Sequence, residues 1–264
     1  MTSQSKKTKN QKELSQKRFS RVAESYVTSQ THAQGEDLTF LLEMADPQPN
    51  LRVLDVATGG GHTALLLAPY VKQIIATDIS DNMLKSAEKY IKSKNIENVC
   101  FERAEADQLP FRDQRFDLVT CRIAAHHFPN CQDFINEAFR VLNPTGRLLI
   151  QDHVLPDSIA DGNYVDDFER LRDPSHNRAF NNNEWRSMFS SAGFNIIETR
   201  QVTKRHELYP WADRQGCSDE IKKELLHRLK NGPPHVKEWM KPEGQDQQNL
   251  SFINHHLLIM GQKE

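Results

Sequence analysis

Apolar residues fall in short runs, separated by stretches with helical spacing. Runs near 51 to 57, 72 to 78, 98 to 103, 115 to 121 and 146 to 153 are nearly unbroken, the pattern of strands buried on both faces. Between the second and third runs, Met83, Leu84, Ala87, Tyr90 and Ile91 share one face of a helix expected over 81 to 94. Ser80 caps that helix and Asp81 sits in its first turn. Phe134, Ile135, Ala138, Val141 and Leu142 define a second helix over 131 to 142, stopped by Asn143-Pro144-Thr145-Gly146. Alternating strands and helices demand a parallel sheet, so the fold class is α/β. Beyond 153 the rhythm loosens. Residues 154 to 180 predict a helix and a polar loop (Asp173 to Arg178). Asn182 or Asn183 then caps a helix that runs to Ala192 and ends at Gly193. Residues 194 to 202 and 251 to 260 read as strands, with one helix near 218 to 230 and four prolines (210, 233, 234, 242) between them. At the other end, Phe19, Val22, Ala23 and Tyr26, then Leu38, Leu41 and Leu42, predict one or two helices capping the sheet over 19 to 49. Residues 1 to 18, polar and basic, read as a frayed, disordered tail.

The first run carries the most chemistry. Val53-Leu54-Asp55-Val56-Ala57-Thr58-Gly59-Gly60-Gly61-His62 has the spacing D-x-x-x-G-x-G. Glycines at 59 and 61 let backbone approach a ligand closely. The third glycine of a dinucleotide fingerprint would fall at 64, where Ala64 stands. Asp55 suits a cationic ligand group and not a pyrophosphate. Asp78 ends the second run, where an acid accepts hydrogen bonds from ribose hydroxyls. Asp107 follows the third. Three acids at the carboxyl ends of successive strands converge on one crevice of an open α/β sheet.

These pieces, with Thr77-Asp78-Ile79-Ser80-Asp81-Asn82-Met83-Leu84, Ala104-Glu105-Ala106-Asp107-Gln108-Leu109-Pro110-Phe111, Phe116 to Thr120 and Val141 to Leu148, run in one family's order over roughly 50 to 153. The chain resembles class I S-adenosylmethionine-dependent methyltransferases, nearest to the small-molecule group that includes ubiquinone and menaquinone biosynthesis enzymes. The resemblance implies a Rossmann-like, seven-stranded, mostly parallel sheet of order 3-2-1-4-5-7-6, with the last strand antiparallel. It implies that Gly59 and Gly61 hold the methionyl part of S-adenosylmethionine and that Asp55 lies near its ammonium. Asp78 would take the ribose hydroxyls, Ile79 and Met83 would pack on the adenine, and Ala106 and Asp107 would bond its edge. Arg122 marks a strand end that contacts the methionyl group, and Tyr26 closes over the cofactor. Asp117 reads as a turn acid.

Methyl transfer is in-line displacement at carbon, so positioning supplies much of the rate. A base is needed only for a protonated nucleophile. His126 and His127, in the loop after the fourth strand, are the candidates, with His127 favoured; His32, His153 and His176 are weaker ones. No Cys or His pair shows structural-zinc spacing, so no metal is expected.

Bulk properties narrow the classes. The 264 residues suit one domain, divided into a cofactor-binding half over 50 to 153 and a substrate-side half over 154 to 264. The long segment 203 to 248 is the candidate for acceptor specificity, and the departures after 154 argue against an isoprenoid quinol. A net charge of −2 and no basic stripe exclude a nucleic-acid partner. No run is long enough for a membrane span, and the four cysteines form no C-x-x-C pair. A monomer or homodimer in a reducing cytoplasm, acting on a small molecule, is the expectation. A non-catalytic S-adenosylmethionine-binding module and a nicotinamide oxidoreductase are the alternatives. The second is disfavoured by Asp55 and by the lack of a Tyr-x-x-x-Lys pair.

Overall fold

The computed structural model describes residues 3–27, 36–244 and 249–264, with side chains of the first segment described from residue 8 to 20. In chain order the elements begin α1 (Ser3–Val27), α2 (Glu36–Ala45), β1 (Arg52–Val56), α3 (His62–Leu67), β2 (Gln73–Asp78), α4 (Asp81–Lys92), β3 (Val99–Arg103) and β4 (Phe116–Arg122). They continue with α5 (Cys131–Val141), β5 (Leu142–Leu155), α6 (Ile159–Arg172), β6 (Phe180–Asn181), α7 (Asn182–Ala192), β7 (Phe194–Glu207), α8 (Leu208–Asp213), α9 (Asp219–Asn231), α10 (Pro234–Met240) and β8 (Ser251–Lys263).

The main sheet runs β3-β2-β1-β4-β5-β8-β7, and the two-residue β6 pairs only with β5. With β6 set aside, this is the expected 3-2-1-4-5-7-6. Pairs from β3 through β5 are parallel, and β8 is antiparallel to both neighbours. The central strands are mostly apolar because both faces are covered, with Asp55 and Asp78 near the carboxyl ends of β1 and β2. On one face Leu54, Val119 and Ile150 meet Phe134, Ile135 and Ala138 of α5 and Trp185 and Phe189 of α7. On the other, Val53, Ile74 and Leu118 meet Leu41 and Met44 of α2, Leu67 of α3 and Ile91 of α4. A third cluster lies at the sheet's far end, where Phe168, Trp211, Leu225, Leu229, Val236 and Phe252 join α6 and α8 to α10 to β8.

Local signals set most boundaries. The Ser80 side chain accepts from the Met83 amide at the start of α4. The cap of α7 is Asn181, one residue before the expected pair. Its Oδ1 accepts from the Glu184 amide at 2.9 Å, while Glu184 Oε2 accepts from the Asn181 amide at 2.9 Å. That reciprocal pair holds the first turn more firmly than a lone cap. Gly193 closes α7 at φ 96°.

Three expectations are corrected. The turn at 143 to 146 does not separate helix from strand. Pairing jumps from Phe116–Leu142 to Leu118–Arg147, so these residues loop out inside β5, with Thr145 at φ 64°. The edge strand β7 continues to Glu207, and α8 and α10 join α9 in the 203 to 248 segment. Those two helices have six and seven residues, too short to show a helical period. The expected tail at 1 to 18 is instead part of α1 from Ser3 onward. Its anchors are polar contacts, which a hydrophobic pattern does not reveal.

Candidate active site

The carboxyl ends of the parallel strands open onto a cavity of about 190 Å³. At β1, Asp55 is 1% exposed, and its two oxygens accept from the Thr58 and Thr120 hydroxyls, each at 2.6 Å. Burial raises its pKa to about 6, against those two bonds. At β2, Asp78 accepts from the Gly59 amide at 3.1 Å and the Ser80 amide at 2.9 Å. Burial raises it to about 6 as well. Two buried carboxylates with raised pKa in one cleft mark a functional site. Ala57 and Ile123, each at φ 54°, follow β1 and β4 where they meet the cavity. Left-handed backbone at such residues costs about 1–3 kcal/mol and clusters at functional sites.

The two singled-out glycines differ. Gly59, at φ 54°, borders the cavity, and a Cβ there would meet nothing within 4 Å. Gly61 is at φ 80°, and a Cβ there would stand 2.9 Å from Ile91 Cδ1 and 3.2 Å from Ala87 Cβ. Gly61 therefore seats α3 against α4, and the cavity is bordered by Gly60 in its place.

Ile79, Met83, Ala106, Asp107, Arg122, His126 and His127 all border the cavity. Asp107 meets Lys12 of α1, whose Nζ lies 2.7 Å from Oδ1 and 2.6 Å from Glu105. Burial opposes the ammonium, but these carboxylates hold its pKa above the usual value. Gln11 donates to the Ser175 carbonyl at 2.6 Å, Arg18 pairs with Asp173 at 2.9 Å, and Phe19 meets the His127 ring edge-on at 4.9 Å. The Tyr26 side chain lies outside the described residues, as does His32 entirely.

Arg122 is buried, with Nη1 3.3 Å from Asp37 and Nε 3.2 Å from the Thr63 hydroxyl. Asp37 also accepts from Lys204 at 2.7 Å and Gln151 at 2.8 Å, so one carboxylate ties α2 to three strands. Asp117 sits at the opposite end of the sheet, accepting from the Arg52 amide and from Asn143.

Histidines fill the far end. His126 Nδ1 lies 2.6 Å from Asp152 Oδ1, its ring 4.8 Å from His153 and 5.0 Å from His176. His153 is 4.6 Å from His256. His126, Asp152 and His153 bring ligand-type atoms within 4.8 Å of one another, the one group among the described residues that could hold a metal ion. His127 Nδ1 faces the Ser175 carbonyl at 2.9 Å, which fixes the hydrogen there and leaves Nε2 as the basic nitrogen. Burial lowers the pKa of His126, His127, His153 and His256, so all are neutral at pH 7. His176 bonds Asp166 at 2.7 Å behind the wall.

Sequence reading missed Lys12 and Phe19 of α1, and also Lys204, His206, Trp211, Arg214, Asn254 and His256 of the sheet's end and its helices. Alternation along the first half of β8 could have found Asn254 and His256, since 252, 254 and 256 are buried there and 251, 253 and 255 are not.

The comparisons agree with this geometry. A family model described as a methyltransferase domain matches residues 47–216. A relative named uncharacterized methyltransferase YcgJ, from Bacillus subtilis, is 35% identical over 93% of this chain and 97% of its own length. The ubiquinone/menaquinone biosynthesis C-methyltransferase UbiE of Ectopseudomonas mendocina is 35% identical over 44% of this chain and 47% of itself. The crystal structure of the YcgJ protein superposes with a TM-score of 0.81 at 33% identity, covering 87% of this chain and 98% of that one.

Proposed function

The chain belongs to the methyltransferase-domain family, an S-adenosylmethionine-dependent enzyme by that membership, and from there we propose that it methylates a small-molecule acceptor by in-line displacement. The observation that carries this is the trio Asp55, Asp78 and Asp107 at successive strand ends, bordering one cavity with Gly59. Buried acids and an open glycine fit a ligand with a cationic amino-acid head and a ribose. S-adenosylmethionine supplies a methyl group already activated on a sulfonium.

The protein then has three tasks. Gly59 and Gly60 give the ligand close backbone approach, and Asp55 lies next to them to balance an ammonium. Asp78 receives ribose hydroxyls, while Ile79 and Met83 offer apolar surface to the adenine. Lys12 holds Asp107 from above, and α1 keeps water from that side. The acceptor enters where Phe19, His127, His206 and Trp211 border the same cavity. Holding a nucleophile about 3 Å from the methyl carbon removes much of the barrier. Where it arrives protonated, Nε2 of neutral His127 takes the proton.

Calorimetry with S-adenosylhomocysteine, beside thermal shift with NAD, tests the cofactor. Binding of the first without a shift from the second is expected, and the reverse would overturn the reading. Turnover on a panel of phenols, thiols and amines then separates catalysis from binding alone.

A further inference from the structure

Cations gather at the far end of the cavity. Strands β5, β8 and β7 lie side by side there, and their register sets His153 beside His256 and Asn254 beside Lys204. Cross-strand partners share one face of a sheet, so these four polar side chains border the cavity together. Arg172, at the end of α6, and Arg214, just after α8, border it as well. Lys204 and Arg122 pair with a single carboxylate, Asp37, at 2.7 and 3.3 Å. Arg172 is half-buried; its Nε donates to the Trp211 carbonyl at 3.0 Å, and its guanidinium carbon lies 4.2 Å from the Trp211 ring centre. No carboxylate forms an ion pair with it among the described residues.

The acids nearby are already engaged. Asp173 pairs with Arg18 at 2.9 Å, Asp152 meets His126 at 2.6 Å, and Glu169 accepts from Asn254 at 2.9 Å while burial raises its pKa. His206 responds to the field that results. Burial first, then the charges of Arg214, Arg172 and Lys204, lower its pKa to about 3. One buried donor is also left over. His256 is 2% exposed, and neither of its ring nitrogens has a hydrogen-bond partner among the described residues. Burial keeps it neutral, so it carries one N–H. A buried polar group of this kind calls for a partner. Among these cations that partner is an atom of negative charge, whereas an ammonium would meet like charges in a site that excludes water.

We propose that the methyl acceptor is a small oxyanion, a carboxylate or a phosphate ester, whose charged group rests at the end of the cavity bordered by Arg172, Lys204, Arg214 and His256. Guanidinium groups match the oxygens of either anion. The charged group is a handle: it fixes one end of the molecule and leaves the nucleophile to face the methyl carbon. That the anion is the methyl acceptor rests on the methyltransferase reading, but the anion site does not.

The test uses the full-length protein and calorimetry with benzoate, phenyl phosphate, benzamide and benzylamine, with and without saturating S-adenosylhomocysteine. S-adenosylhomocysteine is also titrated alone into every variant. At least one anion should bind about tenfold or more tightly than benzamide, with an affinity that falls as salt rises, and benzylamine should give no heat. The tighter of the two anions identifies the oxyanion. Arg172→Gln, His256→Phe and the exposed Arg214→Gln should each weaken that anion about tenfold while S-adenosylhomocysteine affinity stays constant. Arg205→Gln, at an exposed position of β7, should change neither. Protein that binds S-adenosylhomocysteine but binds no probe, or prefers benzamide or benzylamine, would overturn the proposal, as would anion affinity unchanged in the Arg172 and Arg214 variants. An anion bound through these residues without S-adenosylhomocysteine binding would uphold the anion site and sink the cofactor reading.

Discussion

Asp55 is an acid in surroundings that oppose its charge. Its pKa moves from 3.8 to about 6 through burial, despite two hydroxyl donors. The folded state therefore keeps the proton to higher pH than the unfolded chain. Stability falls as pH rises between about 4 and 6 and is level above that window, a cost on the order of 3 kcal/mol at neutral pH. A ligand ammonium beside the ionised group relieves part of that cost. Affinity for S-adenosylhomocysteine should thus rise from pH 5 to pH 7 and then level off; a flat calorimetric profile would remove Asp55 from the ammonium's surroundings. Asp78→Ala should weaken the same ligand by about 3 kcal/mol, the worth of two charge-assisted bonds to ribose at about 1.5 kcal/mol each. Unchanged affinity in a variant with normal melting would refute the ribose assignment.

At the level of elements, α1 and the α3–α4 contact rest on different physics. Gly61 is held by shape. A methyl group there enters Ile91 and forces a left-handed backbone on an L-residue. Gly61→Ala should lower stability by about 1–3 kcal/mol, read as a lower denaturant midpoint. A midpoint equal to wild type would show that α4 can shift freely. Helix α1 is held by polar contacts of Gln11, Lys12 and Arg18, and only Ser15 of its described side chains is buried. These pairs are half-buried and α1 sinks little apolar surface among its described side chains, so such a helix opens more readily than the core. Gln11→Ala with Lys12→Ala should speed trypsin cleavage near Lys17 and Arg18 without lowering the global melting temperature. Equal cleavage rates would mean that other contacts hold α1.

Across the whole molecule, the two ends of the cavity come from different parts of the chain. Residues 55 to 107 build most of the end with the three acids, and residues beyond 200 build much of the end with Trp211 and His206. Trp211 is 2% exposed, stacked on Phe168 with ring centres 5.5 Å apart. Trp211→Phe, which keeps most of that packing, should raise the KM of the methyl acceptor while S-adenosylhomocysteine affinity stays constant. A change in the second with none in the first would reverse the assignment of the two ends. The division also explains what could be read in advance. Asp55, Gly59 and Asp78 lie beside their own strands, so their place follows from local pattern: an apolar run, an acid, a turn. The caps at Ser80 and Gly193 followed for the same reason, because period and turn chemistry act over a few residues, whereas the strand order came from the family resemblance. Lys12 and Trp211 gave no such sign. They reach the site from segments far apart in the chain, by contacts that no local period encodes. Sequence determined which acids and glycines border the cavity; only the tertiary structure decided what covers them and which imidazoles face them. Burial and cross-strand register are properties of the folded sheet, and they alone bring His153 and His256 together.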